Sequence, residues 1–96
     1  SKSALNPYVK CSARPLGEKN IRINAIAPGN IMFKGSVWEQ KIKKNPSTVK
    51  NLLKNEVSLH KFGTPEDVAN LTAFLSSSKS SFITGSVYVV DGGQIR

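Results

Sequence analysis

Apolar residues change their spacing along the first third of the chain, and each change predicts a different element. The segment Ser3–Glu18 has a helix-forming composition. Pro7 and Pro15 lie inside this segment, so a kinked or broken helix is expected. Alternating apolar residues then predict a strand over Ile21–Ala27 that is covered on both faces, and Pro28 begins the turn that ends it.

The rest of the chain has the pattern of several helices followed by one more strand. Ser36 and Glu39 have the spacing of a capping box and predict a short helix that ends near Asn45, where another helix begins. Thr64, followed by proline and two acidic residues, predicts the start of a further helix. The β-branched segment Ser86–Val90 predicts a second strand.

This order of elements predicts an α/β fold. Two strands joined by a helical connection are expected to lie parallel with a right-handed crossover. Parallel sheets are covered on both faces and rarely consist of two strands. We therefore expect the 96 residues to form one side of a larger doubly wound parallel sheet.

Composition narrows the class of protein further. Hydrophobic residues make up 39% and charged residues 21%, which suits a packed globular domain. The single cysteine, Cys11, excludes an internal disulfide and a cysteine-rich zinc site. We expect Cys11 to be a small buried helix residue, the compartment to be the cytoplasm, and no metal site. No apolar stretch approaches the ~20 residues that span a membrane.

The net charge of +8 raises the possibility of a nucleic-acid partner. However, the basic residues are spread along the chain, and aromatic residues do not interleave with them as a base-stacking surface requires. We therefore expect no nucleic-acid partner. The cluster of Lys41, Lys43 and Lys44 is interpreted as a solvated helix face; a docking patch for an acidic carrier or phosphate-bearing substrate is the alternative.

Four segments occur in an order and spacing that resemble the short-chain dehydrogenase/reductase family. They are Ser1–Leu5, Asn20–Gly29, Phe62–Ala69 and Ile83–Gly93. The resemblance implies that residues 1–96 are the C-terminal part of one Rossmann-type domain. Ile21–Ala27 and Ser86–Val90 would be its last two strands, and residues 32–57 its helical substrate lid.

The resemblance also implies an oxidoreductase that transfers hydride between NAD or NADP and a carbonyl or alcohol substrate. Lys2 corresponds to the family's catalytic lysine, which also binds the nicotinamide ribose. The family's tyrosine and glycine-rich loop would then precede Ser1, so the 96-residue chain is expected to be inactive alone. Pro28, Gly29 and Ile31 resemble the loop that lies against the nicotinamide, and this loop leaves the carboxyl end of a strand, where α/β sheets bind ligands.

The sequence gives less information about the substrate lid and about the oligomeric state. Trp38 is a candidate for the substrate pocket, and anchoring a short amphipathic helix is an equal alternative. Phe33 replaces a threonine that is common in the family. The resemblance implies a homo-oligomer, either tetramer or dimer. The alternative function is that of a non-catalytic truncated relative that acts as a subunit-assembly module.

Overall fold

The computed structural model describes the backbone of residues 2–95 and the side chains of residues 5–95. The elements in this part of the chain are α1 (Lys2–Gly17), β1 (Ala25–Pro28), α2 (Val37–Lys44), α3 (Pro46–Glu56), α4 (Pro65–Ser76), a 3₁₀ turn (Ser78–Ser80) and β2 (Val87–Val90). The two strands pair directly with each other. Backbone bonds from Ala25 N to Ser86 O and from Gly29 N to Val90 O, both 2.9 Å, run in the same direction along both strands. The predicted parallel α/β arrangement is therefore confirmed.

Helix α1 corrects two expectations. It runs continuously through Pro7 and Pro15, so of the two expected forms, a kinked or a broken helix, the broken one is wrong. Each proline removes only one backbone donor, and the remaining helical hydrogen bonds keep the chain helical on either side. Cys11 is exposed, so the prediction of a buried cysteine is also wrong.

Strand β1 is shorter than the predicted strand Ile21–Ala27. It begins at Ala25, and residues 22–24 before it are joined to the segment before β2 by a single backbone bond, from Gly85 N to Ile23 O at 2.7 Å, and by side-chain hydrogen bonds. Ile23 N, for example, donates to Thr84 Oγ1 at 3.0 Å. Strand β2 begins at Val87, one residue later than expected.

The predicted helix starts at Ser36 and Thr64 are confirmed. Ser36 Oγ accepts a hydrogen bond from Glu39 N at 3.2 Å, and Glu39 Oε1 reaches back to Gly35 N at 3.2 Å. At α4, Thr64 Oγ1 accepts from Asp67 N at 3.2 Å, and Asp67 Oδ2 accepts from Thr64 N at 2.8 Å. Both caps satisfy backbone donors that a helix leaves without partners.

The chain divides into two compact units, each with its own packing. One unit contains the residues up to Ala27 together with Ala69–Val89, and the other contains Pro28–Val68 with the residues from Val90 on. Val9 is buried in the first unit, and Val49 and Val57 are buried in the second. Among the described residues, no helix has the length and apolar character needed to span a membrane.

Candidate functional site

The loop after β1 is held first by its glycine. Gly29 N donates to Val90 O at 2.9 Å, which continues the pairing of β1 with β2. A Cβ atom on Gly29 would lie 2.5 Å from the Cβ and 2.8 Å from the Cα of Asp91. Real Cβ atoms do not approach other carbons this closely, so the two segments can pack together only because residue 29 has no side chain.

The next residues of the loop pair with a different segment. Gly63 N donates to Asn30 O at 3.0 Å, and Met32 N donates to Gly63 O at 2.9 Å. These two bonds define a parallel bridge between Ile31 and Gly63. In such a bridge the central residue directs its own N–H and C=O to the opposite edge. The peptide groups of Ile31 therefore point away from Gly63.

This geometry suits the nicotinamide cofactor that the family resemblance implies. A carboxamide has one acceptor oxygen and an NH₂ donor, and Ile31 presents one backbone donor and one backbone acceptor. Gly29 brings the loop close to its neighbours, and Pro28 is exposed at the end of β1. The observed loop thus fits the predicted cofactor-binding residues Pro28, Gly29 and Ile31, whose role stays a prediction.

Lys2, the predicted catalytic residue, is the first residue of α1. Its side chain lies outside the described residues. That Lys2 and the Pro28–Ile31 bend border the same cofactor cleft stays a prediction.

Trp38, the predicted substrate-binding residue, lies in the first turn of α2 and is half-buried. It lines a cavity of about 280 Å³ together with residues of α2 and α3, namely Lys41, Asn45, Thr48, Val49 and Leu52. Its ring centroid lies 5.1 Å from that of Phe62, with the ring planes 47° apart. Both predicted roles, helix anchor and pocket residue, are compatible with this position.

A second cavity of about 280 Å³ adjoins the segment that pairs with the loop. It is lined by Leu59, Lys61, Phe62, Gly63, Asp67, Val90, Asp91 and Gly92. The backbone N–H of Thr64, and then its hydroxyl, hydrogen-bond to the Asp67 carboxylate and hold its pKa below the ordinary value. Asp67 is therefore a charged cap of α4 and not a proton donor near neutral pH.

The remaining candidate groups are dispersed. Lys41, Lys43 and Lys44 are all exposed, and Lys41 Nζ lies 4.6 Å above the ring of Trp38. His60 is an exposed loop residue with a φ of 56°. Among the described residues, no three His, Cys, Asp or Glu side chains are grouped as a metal site requires.

Sequence reasoning missed Arg22 and Asn24. Arg22 donates from its two terminal nitrogens to Ile83 O and Ser77 O, both at 3.3 Å. Asn24 donates to Ile83 O at 3.1 Å and accepts from Ser86 N at 3.1 Å. The available signal was that polar side chains alternate with isoleucines in a strand expected to be covered on both faces. Both residues line a cavity of about 520 Å³ that contains none of the predicted site residues.

Comparison with known proteins agrees with this arrangement. The enoyl-(acyl carrier protein) reductase family matches residues 1–94. Isoepoxydon dehydrogenase patN of Penicillium expansum is 40% identical over 92 residues, which are 96% of this chain and 35% of that protein. Dehydrogenase/reductase SDR family member 4 of Mus musculus is 38% identical over 95 residues, which are 97% of this chain and 32% of that protein.

Solved structures of known proteins also have the fold of this chain. 4-Hydroxyisoleucine dehydrogenase complexed with NADH is 34% identical, with a TM-score of 0.75 over 96% of this chain and 35% of its own. L-Sorbose reductase of Gluconobacter frateurii, complexed with NADPH and L-sorbose, is 30% identical, with a TM-score of 0.80 over 99% of this chain and 38% of its own. These matches confirm the predicted C-terminal part of a Rossmann-type sheet.

The chain spans about a third of the length of the curated relatives that it matches. The match nevertheless extends over nearly all of the chain, and the named relatives are dehydrogenases and reductases. The chain belongs to the short-chain dehydrogenase/reductase family.

Proposed function

We propose that this chain forms the C-terminal third of an NAD- or NADP-dependent oxidoreductase that acts on a small carbonyl or alcohol substrate. The observation that carries the proposal is the bend at Ile31. Its neighbours are fixed by backbone pairing with Gly63, and its own N–H and C=O point away from Gly63. The NADH and NADPH complexes of similar proteins support a nicotinamide as the ligand of this bend.

When bound, a nicotinamide would supply or accept the hydride, and the residues of this chain would orient it and exclude competing reactions. Ile31 holds the carboxamide through its peptide groups, and Gly29 fixes the distance between the loop and the Asp91 segment. The ammonium group of Lys2 favours the phenolate of a tyrosine four residues earlier and lowers its pKa toward neutrality. Trp38 contributes to the substrate pocket.

The proposal also covers the compartment and the oligomeric state of the enzyme, and the activity of the 96-residue chain alone. The full-length protein acts in the cytoplasm as a homo-oligomer, a dimer or tetramer. The 96-residue chain alone has no turnover, because the tyrosine and the glycine-rich pyrophosphate loop belong to the preceding part of the enzyme.

The test is a cofactor-oxidation assay of the full-length protein with NADH or NADPH and a panel of ketones and aldehydes. Changing Lys2 to methionine is expected to lower kcat by about 100-fold or more, since positioned acid–base groups contribute about 10²–10⁴. The matched control is Lys19→Met, an exposed lysine in the turn after α1. An active full-length enzyme whose rate is the same with methionine at position 2 contradicts the role of Lys2. A protein without any turnover contradicts the proposed activity.

A second candidate, a non-catalytic assembly module, is favoured by exposed apolar side chains. Tyr8 is 65% exposed, Phe82 is 102% exposed and Val89 is 51% exposed. Large exposed apolar residues commonly mark surfaces that another protein surface covers. Under this alternative the chain binds full-length subunits in size-exclusion chromatography while the cofactor assay stays at background.

A further inference from the structure

Phe62 and Gly63 are neighbours in sequence but contact two different parts of the candidate site. Gly63 pairs through its backbone with Asn30 and Met32 on either side of Ile31, at 3.0 and 2.9 Å. The Phe62 ring packs against the Trp38 ring, with the centroids 5.1 Å apart. One dipeptide therefore joins the proposed cofactor loop to the proposed lid.

Trp38 is held from more than one direction. In addition to the Phe62 ring, Lys41 Nζ lies 4.6 Å from the centroid of the Trp38 ring, within the distance of a cation–π interaction. The 47° angle between the Phe62 and Trp38 planes is that of a tilted aromatic pair. These two contacts restrict rotation of Trp38 about its side-chain bonds.

The Phe62–Trp38 pair is not part of the buried core of the described chain. Val49 and Val57 are 6% and 3% exposed, whereas Phe62 and Trp38 are only half-buried. Each also lines one of the two 280 Å³ cavities. Filling the core therefore does not account for the pair, and its place between the loop and the lid gives it a different role.

We infer that Phe62 is a positioning residue for the substrate, an inference that rests on the proposed oxidoreductase function. Phe62 fixes Trp38 relative to the loop that carries the nicotinamide. A substrate carbonyl packed against Trp38 is thereby kept at a constant place relative to Ile31. The backbone hydrogen bonds of Gly63 hold the neighbouring Phe62 in a constant place relative to the loop. The aromatic contact of Phe62 then holds Trp38 of the lid in place.

The test is steady-state kinetics of the full-length enzyme with F62L, F62Y, W38L and the double variant F62L/W38L. F62L is expected to raise the KM for the carbonyl substrate about two- to tenfold, the range that an aromatic pair supports. The Kd of NADH, measured by fluorescence titration, should change by less than about twofold. F62Y keeps the ring and should restore the KM. The double variant should be no worse than either single variant, because contacting residues act non-additively.

Phe74→Leu is the matched control, since Phe74 is a 42% exposed phenylalanine of α4 that contributes to neither the loop nor the lid. An active enzyme in which F62L leaves KM unchanged, or in which the two substitutions add, overturns the positioning role and leaves the proposed function intact. A loss of kcat and thermal stability without a KM change indicates a purely structural role and also overturns it. Wild-type enzyme without turnover removes the proposed function and this inference together. If F62L does not fold, F62M replaces it in the same comparison with W38L and the double variant.

Discussion

The two ends of β1 are stabilised in different ways. Before the strand, the side chains of Arg22 and Asn24 donate to backbone carbonyls, and Thr84 accepts from the backbone of Ile23. After the strand, the bend is held by backbone hydrogen bonds and by the close packing of Gly29. Side-chain bonds thus supplement the backbone bond from Gly85 N to Ile23 O (2.7 Å) at the scaffold end, whereas backbone bonds at the other end direct the peptide groups of Ile31 away from Gly63.

Replacing Gly29 with alanine is expected to have the largest effect, because it forces the bend away from its support. The new methyl group would meet the Cβ and Cα of Asp91 at 2.5 and 2.8 Å, and neither atom is the flexible tip of a side chain. Overpacking of this kind costs about 1–3 kcal/mol of unfolding free energy. NADH binding to the full-length enzyme should weaken about tenfold, which corresponds to ~1.4 kcal/mol. Thermal unfolding and fluorescence titration measure the two effects.

Gly17→Ala is the matched control for this substitution. Gly17 ends α1, and a Cβ atom there meets no other atom within 4 Å. Stability should stay the same or rise slightly, since alanine is favoured over glycine in helices. Equal losses from the two glycine substitutions contradict the steric explanation.

Replacing Asn24 with alanine should weaken only the end of β1 that precedes the strand. The loss of stability should be smaller than that from alanine at position 29. The substitution removes the bonds to Ile83 O and from Ser86 N, both 3.1 Å. Leaving such groups without partners costs ~1–2 kcal/mol at this half-buried place. NADH affinity should change by less than about twofold. Asn70→Ala, on the exposed surface of α4, is the control in the same urea-unfolding assay. A strong loss of NADH affinity with alanine at position 24 would show that the scaffold end also controls the bend.

The smallest expected effect is the pH dependence of the α4 cap. Hydrogen bonds from Thr64 lower the folded-state pKa of Asp67 below the ordinary value of 3.8. The carboxylate therefore stabilises the fold above that value, and its contribution is lost as the pH falls through the lower folded-state pKa. In urea unfolding, wild-type protein should exceed D67N in stability at neutral pH, and the difference should shrink below pH 3.8. E66Q removes a charge from the same turn; an identical pH profile for E66Q and D67N argues against the cap.

Local features of the fold could be predicted from sequence, because the residues that cause them are close together. Each cap, at Ser36 and at Thr64, is contained in four consecutive residues. The start of β1 was misplaced because it depends on Thr84 and Ile83, which lie 61 and 59 residues from their partners Ile23 and Asn24. No local pattern encodes such contacts.

The candidate site divides in the same way. The turn at Gly29 follows from a strand that ends in Pro28-Gly29, and its place at the carboxyl end of a parallel strand indicates a ligand. The bridge between Ile31 and Gly63 and the contact of Phe62 with Trp38 join distant segments. These contacts can be identified only in the folded structure, because no local sequence pattern encodes them.

Recognition through peptide groups has a consequence for how such an enzyme can diverge. A hydrogen bond made by the backbone of residue 31 does not depend on which side chain that residue carries. Space constrains Gly29 instead, since a Cβ atom there would lie 2.5 Å from the Cβ and 2.8 Å from the Cα of Asp91. Under the proposed function, mutations in the lid can therefore alter the range of substrates while the backbone groups proposed to hold the nicotinamide stay the same.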